Sequence, residues 1–394
     1  MRKKLTILQV LPALQVGGLE RGAIEMANYI SAQGATSLIA SNGGRMESTL
    51  NPSVEHITLP LHRRTPWHVW HCARAIAELI KENDVDIVHA RSRIPAWAAR
   101  LACNWTKTPM VATFHGTHKC QNGFKRWYNS GAAKADRVIA ISQFIKDYII
   151  ENFKTPEDVI DIAPRGIEPK IFTPTRFTSE NLENLKKQYN IPENTPILNL
   201  TGRITRWKGH TEMVQLLAKI KDLHWVCLFI GSAGKKEAYK EELQELIEKE
   251  GLSSRILFIG DQGDPAPFYL MSDLAFSMSI QPEAFGRVAI EAGAMGTAMF
   301  ATAHGGSLET VIDGETGLLA PVGDLETMAK MLRNALQNTE NLHKMGDKAR
   351  QHVHNTFTTE KTCAAEWHTY ETLLSDVKNK NIADNAIKDK DTAD

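Results

Sequence analysis

The chain has few cysteines, and their pattern excludes a disulfide scaffold. Cys72, Cys103, Cys120, Cys227 and Cys363 are odd in number and dispersed, with no C-x-x-C pair. Such usage fits free thiols in a reducing cytosol. An excess of either charge is also missing: 46 Lys and Arg balance 46 Asp and Glu, so the whole chain shows no electrostatic footprint for nucleic acid. No apolar stretch reaches the length of a membrane-spanning helix. Met1-Arg-Lys-Lys4 before Leu5–Val16 has the outline of a signal peptide, but Gln9, Pro12 and Gln15 interrupt the run. No A-x-A site follows, so the run is read as a first strand. A G-x-G-x-x-G fingerprint is absent, which argues against a dinucleotide cofactor. Gly231-Ser-Ala-Gly-Lys-Lys236 has the wrong spacing for a P-loop, and no G-x-S-x-G hydrolase elbow occurs.

What is present is the make-up of a soluble globular enzyme, 23% charged and 42% hydrophobic over 394 residues. That length suggests two domains at roughly 150 residues each. The halves differ in charge. Residues 1–170 carry about 22 basic and 15 acidic side chains, so about +7, leaving about −7 for the rest. A basic first half suits an anionic acceptor or an anionic membrane surface; ordinary scatter would give the same figures.

Short apolar strands alternate with helical patterns, which predicts parallel sheets covered on both faces. In the first half the strands are Leu5–Leu11, Ser37–Ala40, Ile87–Ala90, Met110–Phe114, Val138–Ile141 and Val159–Ile162. Helices are expected at Leu19–Ala32, His68–Lys81 and Tyr128–Ala133. Five prolines and a polar segment, Phe177–Asn190, mark a boundary within Pro164–Pro196. The pattern then restarts with strands at Ile197–Thr201, Val226–Ile230, Ile256–Ile259, Leu274–Met278 and Ala298–Ala301. The expected division is 1–170 for a first Rossmann-like domain, 171–355 for a second, 356–376 for a last helix and 377–394 for a Lys/Asp/Asn-rich disordered tail.

One stretch concentrates the chemistry: Gln281-Pro-Glu-Ala-Phe-Gly-Arg-Val-Ala-Ile-Glu291. It follows an apolar strand that ends in small polar residues, and Gly286 opens an amphipathic helix with Val288, Ile290 and Ala294 as its buried side. A helix N-terminus offers free N–H groups and partial positive charge, which suits phosphate. Carboxylates on either side, Glu283 and Glu291, suit hydroxyls. Together they are what a nucleotide sugar requires, although a plain strand–helix connection would have the same residues.

Glu283 and Glu291 with Ala-Phe-Gly after the first, then His304-Gly-Gly306, Glu309 and Asp313-Gly-Glu-Thr-Gly317, resemble the signature of glycosyltransferase family 4. The resemblance runs from about Leu5 to about Tyr370. It implies a retaining glycosyltransferase of the GT-B fold, in which two Rossmann-like domains face each other across a cleft and the last helix, here Glu360–Leu374 with Trp367 and Tyr370, crosses back to the first domain. It implies a nucleotide-diphosphate sugar, UDP- or GDP-linked, as donor, with no cofactor and no metal. Arg203 and Lys208, in Thr201-Gly-Arg-Ile-Thr-Arg-Trp-Lys-Gly-His210, would meet the diphosphate beside the amides of Phe285, Gly286 and Arg287. Arg206 is assigned to solvent. Glu283 would hold the transferred sugar and Glu291 the ribose. His115, in Phe114-His-Gly116, would lie near the reacting sugar, and Gly17-Gly18 would approach the diphosphate from the other domain.

Other features have competing readings. His118 and Cys120 near His115 match no standard zinc spacing. Asp84-Val-Asp86 lies before its strand and reads as a polar lead-in rather than a metal-binding pair. Arg91-Ser-Arg93, and His62-Arg-Arg64 before Trp67, Trp70 and His71, suit a phosphorylated glycolipid and a lipid interface, or simply a solvated helix with packed tryptophans. Thr113-Phe-His-Gly-Thr117 with Lys125-Arg-Trp-Tyr-Asn-Ser130 resembles bacterial lipopolysaccharide or capsule transferases. The expected partners are thus a nucleotide sugar, a glycan or glycolipid acceptor and the inner face of the cytoplasmic membrane. Another GT-B enzyme, such as an epimerase or phosphorylase, and a non-catalytic nucleotide-sugar binder remain as alternatives.

Overall fold

The computed structural model describes residues 4–15, 17–234 and 237–391. The chain divides into two compact units, Met1–Pro164 with Glu360–Asp394, and Arg165–Thr359. Each is Rossmann-like.

The first unit holds β1 (Thr6–Val10), β2 (Thr36–Ser41), β3 (Val54–Thr58), β4 (Ile87–Ala90), β5 (Met110–Phe114), β6 (Arg137–Ala140) and β7 (Ile160–Ile162), all parallel, in the order β3-β2-β1-β4-β5-β6-β7. The second holds β8 (Ile197–Thr201), β9 (Val226–Ile230), β10 (Ile256–Gly260), β11 (Leu274–Ser277), β12 (Met299–Thr302) and β13 (Gly317–Ala320), again parallel, in the order β10-β9-β8-β11-β12-β13. Strand order reverses between β1 and β4 in one sheet and between β8 and β11 in the other. Ligands of open parallel sheets bind beyond the carboxyl ends of the strands at such reversals. The central strands are buried throughout, β9 as Val-Cys-Leu-Phe-Ile and β5 as Met-Val-Ala-Thr-Phe, because helices cover both faces.

The last helix, Thr359–Asp391, belongs to the first unit. Cys363, Tyr370 and Leu373 pack with Ile7, Ile87, Val111 and Ile139, and Trp367 lies against the same cluster. Polar contacts set its register. Arg91, fully buried, gives both arms of its fork to Glu366, at 3.0 and 2.7 Å, and its Nε–H to Gln9 at 2.8 Å. Tyr370 Oη lies 2.6 Å from His89 Nδ1.

Several expectations need correction. Arg165–Lys170 join the second unit, because Ile167 bridges to Thr358 and exchanges hydrogen bonds with Phe357 and Thr359 at 2.8 Å. The polar segment at Phe177–Asn190 contains a helix, Ser179–Gln188, opened by a reciprocal cap between Thr178 and Asn181. The helix expected at Tyr128–Ala133 starts earlier, at Gly123–Asn129, where Asn122 caps it by accepting from the Lys125 amide. The segment from 377, expected to be disordered, is helical to Asp391; without Gly or Pro, extending an existing helix costs far less than nucleating one. Residues 392–394 lie outside the described residues.

Candidate functional site

In the second unit the loop after β8 and the loop after β11 are joined at the point of strand reversal. The Trp207 carbonyl accepts from the Ile280 amide at 2.8 Å. Gly209 has φ 75°, and a Cβ there would lie 1.8 Å from the Met278 carbonyl oxygen, so only glycine allows this approach. The junction sets Lys208 against Glu283: Nζ lies 2.5 Å from Oε1, and both side chains are largely buried. Ser279 Oγ donates to the same carboxylate oxygen at 2.5 Å. His304 Nε2 in turn lies 2.8 Å from the Ser279 carbonyl oxygen.

The backbone of Glu283 is held as firmly as its side chain. It bridges to Gly305, and its carbonyl accepts from the Gly306 amide at 2.8 Å. A Cβ at Gly305 would lie 2.5 Å from the Glu283 oxygen, and one at Gly306 would lie 2.4 Å from the Phe285 Cα. His304-Gly-Gly306 therefore cradles the Glu283–Phe285 loop. Phe285 itself is buried edge-on against Phe357.

The helix Arg287–Ala294 starts at Gly286, which has φ 88°, and no side chain caps it. Its first amides are thus donors without a side-chain acceptor. Its packed face is Ala289, Ile290, Ala292, Gly293 and Ala294; Val288, expected on that face, is only half-buried. Arg287 turns along the helix to Glu291, Nε to Oε1 3.4 Å. The Tyr269 hydroxyl donates to the other Glu291 oxygen at 3.4 Å. Burial, and then the Glu291 charge, holds the Tyr269 hydroxyl well above its usual pKa, so it stays a donor.

Of the two loop cations expected at the diphosphate, Lys208 is engaged and Arg203 is not. Arg203 is exposed and has no ion-pair partner among the described residues. Arg206 lies at the surface with Glu242 and over the Tyr239 ring. His210, which follows Gly209, is fully buried, and burial pushes its pKa down to about 4. Sequence reasoning missed Ser279, Tyr269 and His210. The one signal for Ser279 was the small polar ending of its strand. A cavity of about 680 Å³ opens at the opposite end of this sheet, around Thr195–Ile197 and Asp273, and contains none of these residues.

In the first unit, Gly17 precedes the helix Gly18–Ala32, whose start also lacks a side-chain cap. Gly17 is extended, and a Cβ there would meet only the Glu20 carboxylate, so its backbone does not need glycine. His115 lines a cavity of about 230 Å³ at the carboxyl ends of β4 and β5. His118 lines it too, and burial, then the Arg93 charge, lowers its pKa to about 4. Cys120 does not join a ligand set; its Sγ lies 3.3 Å from the Tyr148 hydroxyl, which donates to the His118 carbonyl. Asp86 accepts from the Thr6 amide at 2.8 Å, the structural role expected of it. Among the described residues no group of three or more His, Cys, Asp or Glu is placed to hold a metal ion, and no helix is long and apolar enough to cross a membrane.

Residues 181–352 match the family model described as glycosyl transferases group 1, and residues 16–171 match that of glycosyltransferase family 4. The N-acetyl-alpha-D-glucosaminyl L-malate synthase of Bacillus anthracis is 29% identical over 318 residues, 79% of this chain and 81% of that protein. A glycosyltransferase crystal structure from Rickettsia africae is 37% identical with a TM-score of 0.88, over 94% of this chain and 99% of that one. Anabaena Alr3699/HepE, solved with UDP-glucose, is 22% identical with a TM-score of 0.79 over 94% and 100%.

Proposed function

The chain belongs to the GT-B glycosyltransferases, with a family 4 first domain and a group 1 second domain, and from that premise we propose that it moves a sugar from a UDP- or GDP-linked donor to a cell-envelope glycan or glycolipid with the anomeric configuration retained. The observation that carries this reading is Lys208 on Glu283 at the β8/β11 reversal, next to an uncapped helix start and with Glu291 just over a turn into the helix. The UDP-glucose held by the Anabaena protein of the same fold favours this donor class.

In this mechanism Arg203, Lys208 and the amides of Phe285, Gly286 and Arg287 stabilise the departing diphosphate. Negative charge grows there as the C1–O bond to phosphate breaks, so fixed donors lower the barrier rather than only tightening binding. Glu283 holds hydroxyls of the transferred sugar, Glu291 the ribose, and His115 the reacting end of the acceptor. The acceptor oxygen attacks C1, and its proton passes to the leaving phosphate. Glu283, held by Lys208 and Ser279, is a poor candidate for a covalent nucleophile. This electrostatics needs no metal ion, so activity is expected to persist in excess EDTA; loss with EDTA and return with Mg²⁺ would overturn that part.

Trp67 and Trp70 are exposed and stacked at 5.3 Å, close in sequence to Arg63 and Arg64. They support contact with the anionic inner face of the cytoplasmic membrane. The test of the donor assignment is a thermal-shift screen of nucleotide diphosphates and their sugars, followed by a product assay. One nucleotide should raise the melting temperature. A panel that leaves it unmoved contradicts the reading.

A further inference from the structure

The cavity at the carboxyl ends of β4 and β5 has two arginines in its wall, and their charges are treated differently. Arg91 is fully buried, and Glu366 neutralises it. Arg93 is half-buried and donates to the Asn129 side-chain oxygen at 2.8 Å, a neutral partner. Asn129 is itself buried and donates to the Lys119 carbonyl at 3.2 Å, so it fixes the guanidinium without compensating it. Among the described residues no carboxylate pairs with Arg93, and none lines the cavity. The sequence repeats this bias: between Asp86 and Asp136 there is no acidic residue and there are eight Lys and Arg.

The other polar lining adds no opposing charge. His118 is held neutral at physiological pH by burial and by Arg93, leaving an imidazole that can donate one hydrogen bond. A planar, oriented guanidinium without a carboxylate partner, in a partly desolvated wall, is suited to a bidentate oxyanion. The space of about 230 Å³ is smaller than the usual ligand cleft of about 300–1,000 Å³. It fits an end group, not a length of glycan.

We propose that this pocket binds an oxyanion, a phosphate or carboxylate, on the end of the acceptor that receives the sugar, with Arg93 as its charge partner. The proposal rests on the proposed function, in which His115 of this cavity meets the reacting end of the acceptor, and it adds the acceptor's chemical class. Arg93 then determines specificity: a neutral acceptor of the same size leaves the guanidinium desolvated without a counter-charge.

The test is calorimetric titration of the full-length protein with glycerol 3-phosphate, with L-malate, and with glycerol as the neutral control. UDP or GDP is present at saturation, so that phosphate sites on the second domain are filled. At least one of the two anions should bind saturably and more weakly as salt rises, and glycerol should not bind. Arg93→Gln should weaken that anion by on the order of tenfold or more, the scale of one lost charge-assisted bidentate contact. The tighter of the two anions separates phosphate from carboxylate. Should Arg93→Gln fail to fold, Arg93→Lys, which keeps the charge and loses the fork, should weaken binding several-fold. Failure of both anions to bind wild-type protein, or wild-type affinity in the folded variant, overturns the proposal. The nucleotide's own thermal shift, read in the same samples, reports separately on the donor assignment.

Discussion

Lys208 and Glu283, 75 residues apart in sequence, form a contact of 2.5 Å between Nζ and Oε1. The cation assigned to the diphosphate therefore rests on the carboxylate assigned to the sugar. In the proposed donor complex the ammonium would have two acidic neighbours, the diphosphate and Glu283, and an ammonium with three donors can serve both. The pair orients Glu283 and supplies a counter-charge, without which a buried carboxylate would be costly.

Arg203 and Lys208 should be separable by stability although both are assigned to the diphosphate. Arg203→Ala and Lys208→Ala should each slow turnover by on the order of 10²-fold. Arg203 is exposed and unpaired among the described residues, so its loss should leave the melting temperature unchanged. Lys208→Ala strands Glu283 and should cost about 1–3 kcal/mol in chemical denaturation. Turnover within a factor of about two of wild type in either variant contradicts the clamp.

Ser279 donates to Glu283 and, on the proposed roles, would be a positioning residue that acts through it. Ser279→Ala should lower kcat by about tenfold, while calorimetry finds the affinity for free nucleotide diphosphate unchanged. A fall in nucleotide affinity with kcat intact would place Ser279 elsewhere in the mechanism.

Acid should destabilise the second unit through His210. Its folded pKa of about 4 lies below the unfolded value of about 6.5. Below pH 6.5 the unfolded chain takes up a proton that the folded chain refuses, so stability is full above that pH and falls towards pH 4. At most the loss is about 3 kcal/mol. His210→Leu should flatten the slope of stability against pH between 6.5 and 4; an unchanged slope would mean another group carries it.

The strands were legible wherever both faces are buried, since Val226–Ile230 and Met110–Phe114 are unbroken apolar runs. Two of the four edge strands, β7 and β10, were legible as well, but β3 and β13 were not. β3, Val-Glu-His-Ile-Thr, mixes polar residues into its run, and β13 is only four residues behind a turn. The candidate site residues of the second domain could be picked out by their motifs. Their contacts could not. Nothing local in Ser279 or Tyr269 says that each hydroxyl donates to a glutamate, and Arg91 and Arg93 look alike until Glu366, 275 residues away, is seen to neutralise only the first.

The central claim is that the two glutamates divide the donor between them, and calorimetric titration of nucleotide diphosphate into Glu283→Gln and Glu291→Gln tests it most directly. Glu291 is assigned to the ribose, which does not react, so its contacts act equally on ground and transition states. Glu291→Gln should bind the sugarless nucleotide more weakly and raise KM for the full donor. Glu283→Gln should bind the sugarless nucleotide almost as wild type does and lose kcat instead. If Glu283→Gln loses the nucleotide and Glu291→Gln keeps it, the roles are reversed; if both variants bind and turn over as wild type, the stretch from Gln281 to Glu291 is only a strand–helix connection.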